Sequence, residues 1–138
     1  MGYFSIIHPI VTFYSNHTTT NFSDTYVVGF PTGVNILKSE KIGFSFEITP
    51  FIRSNSSESQ VTHFLFHPGI LFRFKKGFTL TERLAFETSG RYGFTTIFSK
   101  VLIRGKYTSL FLAIPIPVRF GTQIPSAIGS GIQTGLTF

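Results

Sequence analysis

Gly129-Ser130-Gly131-Ile132-Gln133-Thr134-Gly135-Leu136-Thr137-Phe138 alternates bulky apolar with small or polar residues up to the last position of the sequence. Ile128, Ile132, Thr134, Leu136 and Phe138 fall on one face, and Gly129, Gly131, Gln133, Gly135 and Thr137 on the other. A period of two fits a strand and excludes a helix. A soluble sheet hides its apolar face behind a second layer. A membrane barrel turns that face to lipid and encloses its small and polar side chains, which reverses the meaning of every charged residue.

The same alternation recurs upstream. Across residues 108–121, Leu110, Leu112, Ile114, Ile116, Val118 and Phe120 oppose Ala113, Pro115, Pro117 and Arg119. Across 61–74, Phe64, Phe66, Ile70, Phe72 and Phe74 oppose His63, His67, Gly69 and Arg73. Across 42–53, Phe44, Phe46, Ile48 and Ile52 oppose Gly43, Ser45, Glu47 and Thr49, and across 25–37, Tyr26, Val28, Phe30, Val34 and Ile36 oppose Gly29, Pro31, Gly33 and Asn35. With 3–14, 78–88, 94–104 and 127–138, the spacing predicts eight strands in one domain, residues 1–138. The faces of the first strand are both largely apolar, so its orientation stays open. Pro115 and Pro117 each remove a ladder donor and predict either a bulge or a break in pairing. Short turns carrying Lys38, Lys41, Lys75, Lys76 and Lys106 follow the even strands. Polar loops at 15–23, 54–60, 89–93 and 122–126 follow the odd ones and would carry any recognition.

Composition points the same way. Charged residues make up 13 % of the 138, about half the usual share, too few for an ordinary water-soluble surface. Aromatics reach 17 %, with 18 Phe, 5 Tyr and no Trp, enough for a wide apolar belt. No apolar run of about 18 residues occurs, so no transmembrane helix is encoded. The absence of Cys removes disulfide frameworks and thiolate metal sites. The net charge of +6 raises nucleic acid as a partner, but the basic residues sit in separate turns without a recognition helix or an aromatic-basic motif. Attraction to anionic lipid accounts for them instead. The start, Met1-Gly2-Tyr3-Phe4, has no basic and apolar leader pattern. An exported barrel needs a leader, so the expectation is that one has been cut off or replaced by a start Met.

On the enclosed faces the expected polar network comprises Glu47, His63, His67, Arg73, Arg83, Glu87 and Arg119. An eight-stranded barrel is just wide enough to be filled by such side chains, leaving a packed lumen or at most a small polar conduit. His63 and His67 share a face but lie about 13 Å apart at the strand rise, too far to share a metal ion. No metal or other cofactor is expected. Ser45, His67 and Glu47 supply the residue types of a nucleophile, a base and an orienting group, without a nucleophile elbow. If the hairpin of the fifth and sixth strands is centred on Arg91, Glu82 faces Lys100 on the apolar side as an ion pair.

Two segments carry a family likeness: residues 112–120, Leu-Ala-Ile-Pro-Ile-Pro-Val-Arg-Phe, and the end, Gly135-Leu136-Thr137-Phe138. With the strand pattern of the whole chain, they resemble the small outer-membrane β-barrel proteins of Gram-negative bacteria, the porin-like barrels that end in an aromatic residue. Leu136 and Phe138 match the two hydrophobic positions of the C-terminal strand that the barrel-assembly machinery reads in that family, while Gln133 stands where the family pattern has Gly. The resemblance implies an all-β fold, an eight-stranded antiparallel up-and-down transmembrane barrel with both termini periplasmic. It also implies contact with membrane lipid including lipopolysaccharide, with the assembly machinery during biogenesis and with other envelope proteins. It implies no particular task. The leading expectation is a structural, assembly-subunit or small-solute role without catalysis. A soluble eight-stranded barrel holding an apolar ligand, with its Phe-rich faces turned inward, and an outer-membrane enzyme acting on lipid or peptide are the alternatives.

Overall fold

The computed structural model describes all residues, 1–138. Eight antiparallel staves form a closed barrel. They are β1 (Gly2–Tyr14), β2 in two segments (Tyr26–Gly29 and Thr32–Leu37), β3 (Ile42–Ser54), β4 (Ser59–Arg73), β5 (Phe78–Glu87), β6 (Tyr92–Arg104), β7 (Ser109–Phe120) and β8 (Ala127–Thr137). Each stave pairs with its sequence neighbours, and β8 returns to β1 from Tyr3↔Thr137 to Tyr14↔Ala127. All eight predicted strands are present, their ends displaced by no more than two residues. A short strand in the first loop, Thr18–Thr20, adds to β1 and was not expected.

The strands tilt. Ile7 sits opposite Gln133, Gln133 opposite Ala113, Ala113 opposite Ser99, Ser99 opposite Thr79, and Thr79 opposite Arg73, the last residue of β4. A path across the staves that begins in the middle of β1 thus runs off toward one end, the stagger that closing a barrel requires. We call that end, which holds the three short connections and both termini, the turn end, and the other the loop end.

Alternation sets what points where. Phe44, Phe46, Ile48, Phe66, Ile70, Phe72, Ile114, Ile132 and Leu136 point outward, exposed over roughly two-fifths to half of their surface. Ser45, Glu47, Thr49, His67, Thr81, Arg83, Thr95, Arg119 and Gln133 point inward and are buried. Polar groups that do face outward are mostly partnered: Tyr26 Oη lies 2.6 Å from His8 Nδ1, and Thr96 donates to Glu82 at 2.7 Å. Of the buried apolar residues, Tyr3, Ile97, Phe111 and Ala113 form a small cluster, and Leu65, Leu71, Ala85 and Ala127 are buried apart from it. Burial also settles the first strand, in which Tyr3 and Ser5 are the inward residues.

Proline decides where the wall weakens. β2 is interrupted at Phe30-Pro31, between its two paired segments. β7 and β8 pair at Ala127↔Arg119 and Ile128↔Val118 and again from Gln133↔Ala113, and the pairing lapses opposite Pro115 and Pro117. The register is the same on both sides of the lapse, so these prolines break pairing without inserting a bulge. The bulges of this barrel lie elsewhere, between Pro9 and Val11, between Phe51 and Ile52, and between Val101 and Ile103.

The hairpin register of β5 and β6 corrects one expectation. Glu82 faces Thr96, and Lys100 faces Phe78, so Glu82 and Lys100 are not cross-strand partners. The turn is centred on Ser89, not Arg91. Gly90 adopts φ 87°, its N–H bonds back to the Glu87 carbonyl, and Glu87 N–H bonds to the Arg91 carbonyl. This left-handed glycine closes the chain two residues early, and Tyr92 and Gly93 join the strand. Moving the centre by two moves each partner by four, an even shift that keeps Glu82 and Lys100 on the outer face. Lys100 instead lays its ammonium 4.8 Å from the centre of the Phe78 ring.

Candidate functional site: a polar chain through the barrel lumen

The buried carboxylate of Glu47 organises the lumen. Register brings it beside His67, its direct partner on β4. Its Oε2 accepts hydrogen bonds from Tyr3 Oη at 2.7 Å and Arg83 Nη1 at 2.7 Å. Its Oε1 accepts from Thr49 Oγ1 at 3.1 Å and lies 3.0 Å from His67 Nδ1. Arg83 is satisfied in turn: Nε and Nη2 donate to Ser45 Oγ at 3.2 and 2.8 Å, and Nη2 also donates to Tyr3 Oη at 2.8 Å.

Two glycines make this assembly possible by space. A Cβ built on Gly33, the register partner of Glu47, would collide with the Tyr3 hydroxyl and the Phe46 carbonyl. One on Gly69, the partner of Arg83, would meet the Glu82 carbonyl and come within 2.6 Å of Arg83 Cγ. The guanidinium reaches the carboxylate because no side chain occupies either position.

A second cluster lies toward the loop end. Arg119 Nε donates to Glu87 Oε1 at 2.9 Å, and Glu87 Oε2 accepts from Ser89 Oγ at 2.9 Å, with His63 Nε2 at 3.8 Å. His63 stacks on Phe51 at 4.8 Å. Thr95 joins the clusters, its Oγ1 lying 2.9 Å from His67 Nε2 and accepting from Arg119 Nη1 at 3.0 Å.

Donor accounting assigns the protons along this chain. Glu47, held by Arg83, is an acceptor, so His67 Nδ1 must carry the hydrogen. Arg119 only donates, so the Thr95 hydroxyl has one acceptor, His67 Nε2. A neutral His67 is then the Nδ1–H tautomer, receiving from Thr95 and giving to Glu47.

Of the seven residues expected in the network, six join it. Glu47, His67 and Arg83 form the inner cluster, and His63, Glu87 and Arg119 the outer one. Arg73 faces inward but is exposed at the turn end and makes none of these contacts, because β4 stops there and leaves its side chain at the mouth. The suggested Ser45–His67–Glu47 set is corrected in one member: Ser45 serves Arg83, and the hydroxyl on His67 belongs to Thr95. Tyr3 and Thr95 were missed, since hydroxyl residues on an alternating strand carry no signal of a cross-barrel partner.

The inner cluster divides the lumen. A cavity of about 70 Å³ lies on its loop side, lined by Pro9, Thr49, Leu65, Pro117 and Gly131 among others, and one of about 80 Å³ on its turn side, lined by Tyr3, Asn35, Leu71, Thr81 and Phe111 among others. Each has room for two or three waters at about 30 Å³ apiece. No protein-family model matches this chain, and no curated protein is significantly similar to it.

Proposed function

We propose that the chain is an integral outer-membrane β-barrel whose lumen is closed by the Glu47–Arg83–Tyr3 cluster, serving as a structural element or assembly subunit without catalysis. One observation carries the membrane reading: the barrel is inside out. Charged and hydroxyl side chains are buried, while Phe, Ile and Leu cover the outside. Soluble monomers rarely expose a contiguous apolar patch above about 300–600 Å², and a belt of this kind exceeds any such patch. Closure supports the reading too, because backbone groups in hydrocarbon must be satisfied within the protein and a closed barrel has no edge. An outward-facing aromatic set argues against a soluble barrel holding an apolar ligand, which needs those residues inside.

The test is detergent dependence and conductance together. The folded protein should require detergent, migrate differently on a gel before and after heating, and give no steady ion current in a planar bilayer. Monodisperse behaviour in plain buffer would reject the membrane reading. Reproducible channel openings would reject the closed lumen and favour a small-solute conduit.

A second reading rests on the Thr95–His67–Glu47 chain, which has the order nucleophile, base, orienting group. Placement favours the static role: Thr95 is 2 % exposed, its hydroxyl is held between His67 Nε2 and Arg119 Nη1, and that Nη1 is already shared with the Phe94 and Val118 carbonyls. Ester hydrolysis lost in Thr95→Val with the heat-shifted band intact would establish the enzymatic reading.

A further inference from the structure

The ionisable residues are unevenly divided between the two ends. The loop end, with the loops at 15–25, 55–58, 88–91 and 121–126 and the end of β3, carries His17, Asp24, Arg53, Glu58 and Arg91. The turn end carries Lys38, Lys41, Arg73, Lys75, Lys76, Arg104 and Lys106 against one acid, Glu40. Most of the net charge of +6 therefore lies on one rim.

Part of that rim is shaped. Lys38, Lys41, Lys75 and the acid Glu40 line an open bay between the β2–β3 turn and the end of β4, together with Leu37, Ile42, Phe72 and Phe74, and Arg73 lies at the rim where this bay meets the lumen mouth. Its frame is tied down. Arg73 N–H donates to the Lys41 carbonyl at 2.7 Å, Lys38 N–H to the Ile42 carbonyl at 3.0 Å, and Ser39 Oγ accepts from Ile42 N–H at 3.1 Å. None of the four cations forms an ion pair, since all four ion pairs of the molecule lie inside the barrel. Glu40, the acid beside them, is also unpaired.

We infer that this bay binds the phosphate of an anionic phospholipid in the leaflet at the turn end, its acyl chains lying on the outward faces of Ile42 and Phe72. The inference rests on the membrane reading above. Charge and shape select this occupant: cations cluster where the apolar outer belt ends, and a phospholipid places its phosphate where its hydrocarbon begins. Each Lys or Arg near a membrane surface contributes roughly a fivefold preference for anionic lipid.

The test uses the full chain refolded in detergent, with a heat-shifted gel band as proof of the folded barrel, titrated with dioctanoyl phosphatidylglycerol or dioctanoyl phosphatidylcholine under native mass spectrometry. Phosphatidylglycerol should bind at lower concentration. Lys38→Gln with Lys75→Gln should weaken it about 25-fold, two cations at roughly fivefold each. Lys106→Gln, on the same rim but outside the bay, should change it little. Equal binding of the two lipids, or a loss with Lys106→Gln as large as with Lys75→Gln, would overturn the site while leaving the folded barrel in place. Failure to find any detergent-dependent folded state would instead remove the membrane reading itself.

Discussion

The inner and outer clusters of the lumen use the same chemistry at different depths. Around Glu47 every charge meets a fixed partner, and Arg83 and Glu47 side chains are 6 % and 4 % exposed. Around Glu87 an Arg–Glu pair recurs, through Nε, with side chains 9 % and 7 % exposed, but its neighbour His63 is 20 % exposed, and Arg91 has buried Nε and Nη2 atoms without a protein partner. Depth makes the difference. The inner pair has only the two or three waters that each flanking cavity can hold if one member is lost, whereas the outer pair sits nearer a mouth open to bulk water. The inner cluster is thus the part that holds the staves together, and the outer one closes the entrance.

The largest effect should come from splitting the inner pair. Arg83→Gln leaves a carboxylate buried without its cation and should cost about 3–5 kcal/mol, read as a shift in urea unfolding from detergent micelles. Glu47→Leu with Arg83→Met should cost far less than the single change, because it removes both desolvated charges at once. Comparable losses in the single and double variants would show that packing, not charge pairing, dominates here.

Next in size, Gly69→Val should lose about 1–3 kcal/mol by forcing β4 and β5 apart where Arg83 folds across, in the same unfolding assay. Arg119→Gln tests the outer cluster. It should cost about 1.5–3 kcal/mol, below the inner pair, because it removes charged hydrogen bonds near a wet mouth. If Arg119→Gln proves as damaging as Arg83→Gln, the depth distinction fails.

The smallest effect separates two registers on the outer face. A double-mutant cycle of Glu82→Gln and Thr96→Val should show coupling of about 0.2–1 kcal/mol, while the cycle with Lys100→Gln should show almost none. Coupling to Lys100 and not to Thr96 would restore a hairpin centred on Arg91.

Residue order alone carries some of this arrangement and not the rest. Facing was legible, because alternation has a period of two and any even slip preserves it, so Glu47, His67, Arg83 and Arg119 could be placed inside from their neighbours. Register was not. It depended on Gly90 taking a left-handed conformation within Ser89-Gly90-Arg91-Tyr92-Gly93, where two glycines offered two places to turn. Cross-barrel partners were hidden for a different reason. Tyr3 reaches Arg83 across 80 residues, and only closure of β8 onto β1 puts Gln133 beside Ser5, where it donates at 2.9 Å. The first strand concealed its orientation because Ile6 and Ile7 are apolar on both faces. Its buried Ser5, flanked by Phe4 and Ile6, was the available clue.

Membrane insertion and a closed polar lumen both depend on which way the apolar faces look. The chain contains no Cys, so a single Ile114→Cys can be labelled with a fluorophore and refolded into vesicles. Its emission should be quenched by spin labels placed along the lipid acyl chains and should be indifferent to aqueous iodide. Quenching by iodide with no response to the acyl-chain labels would contradict the account.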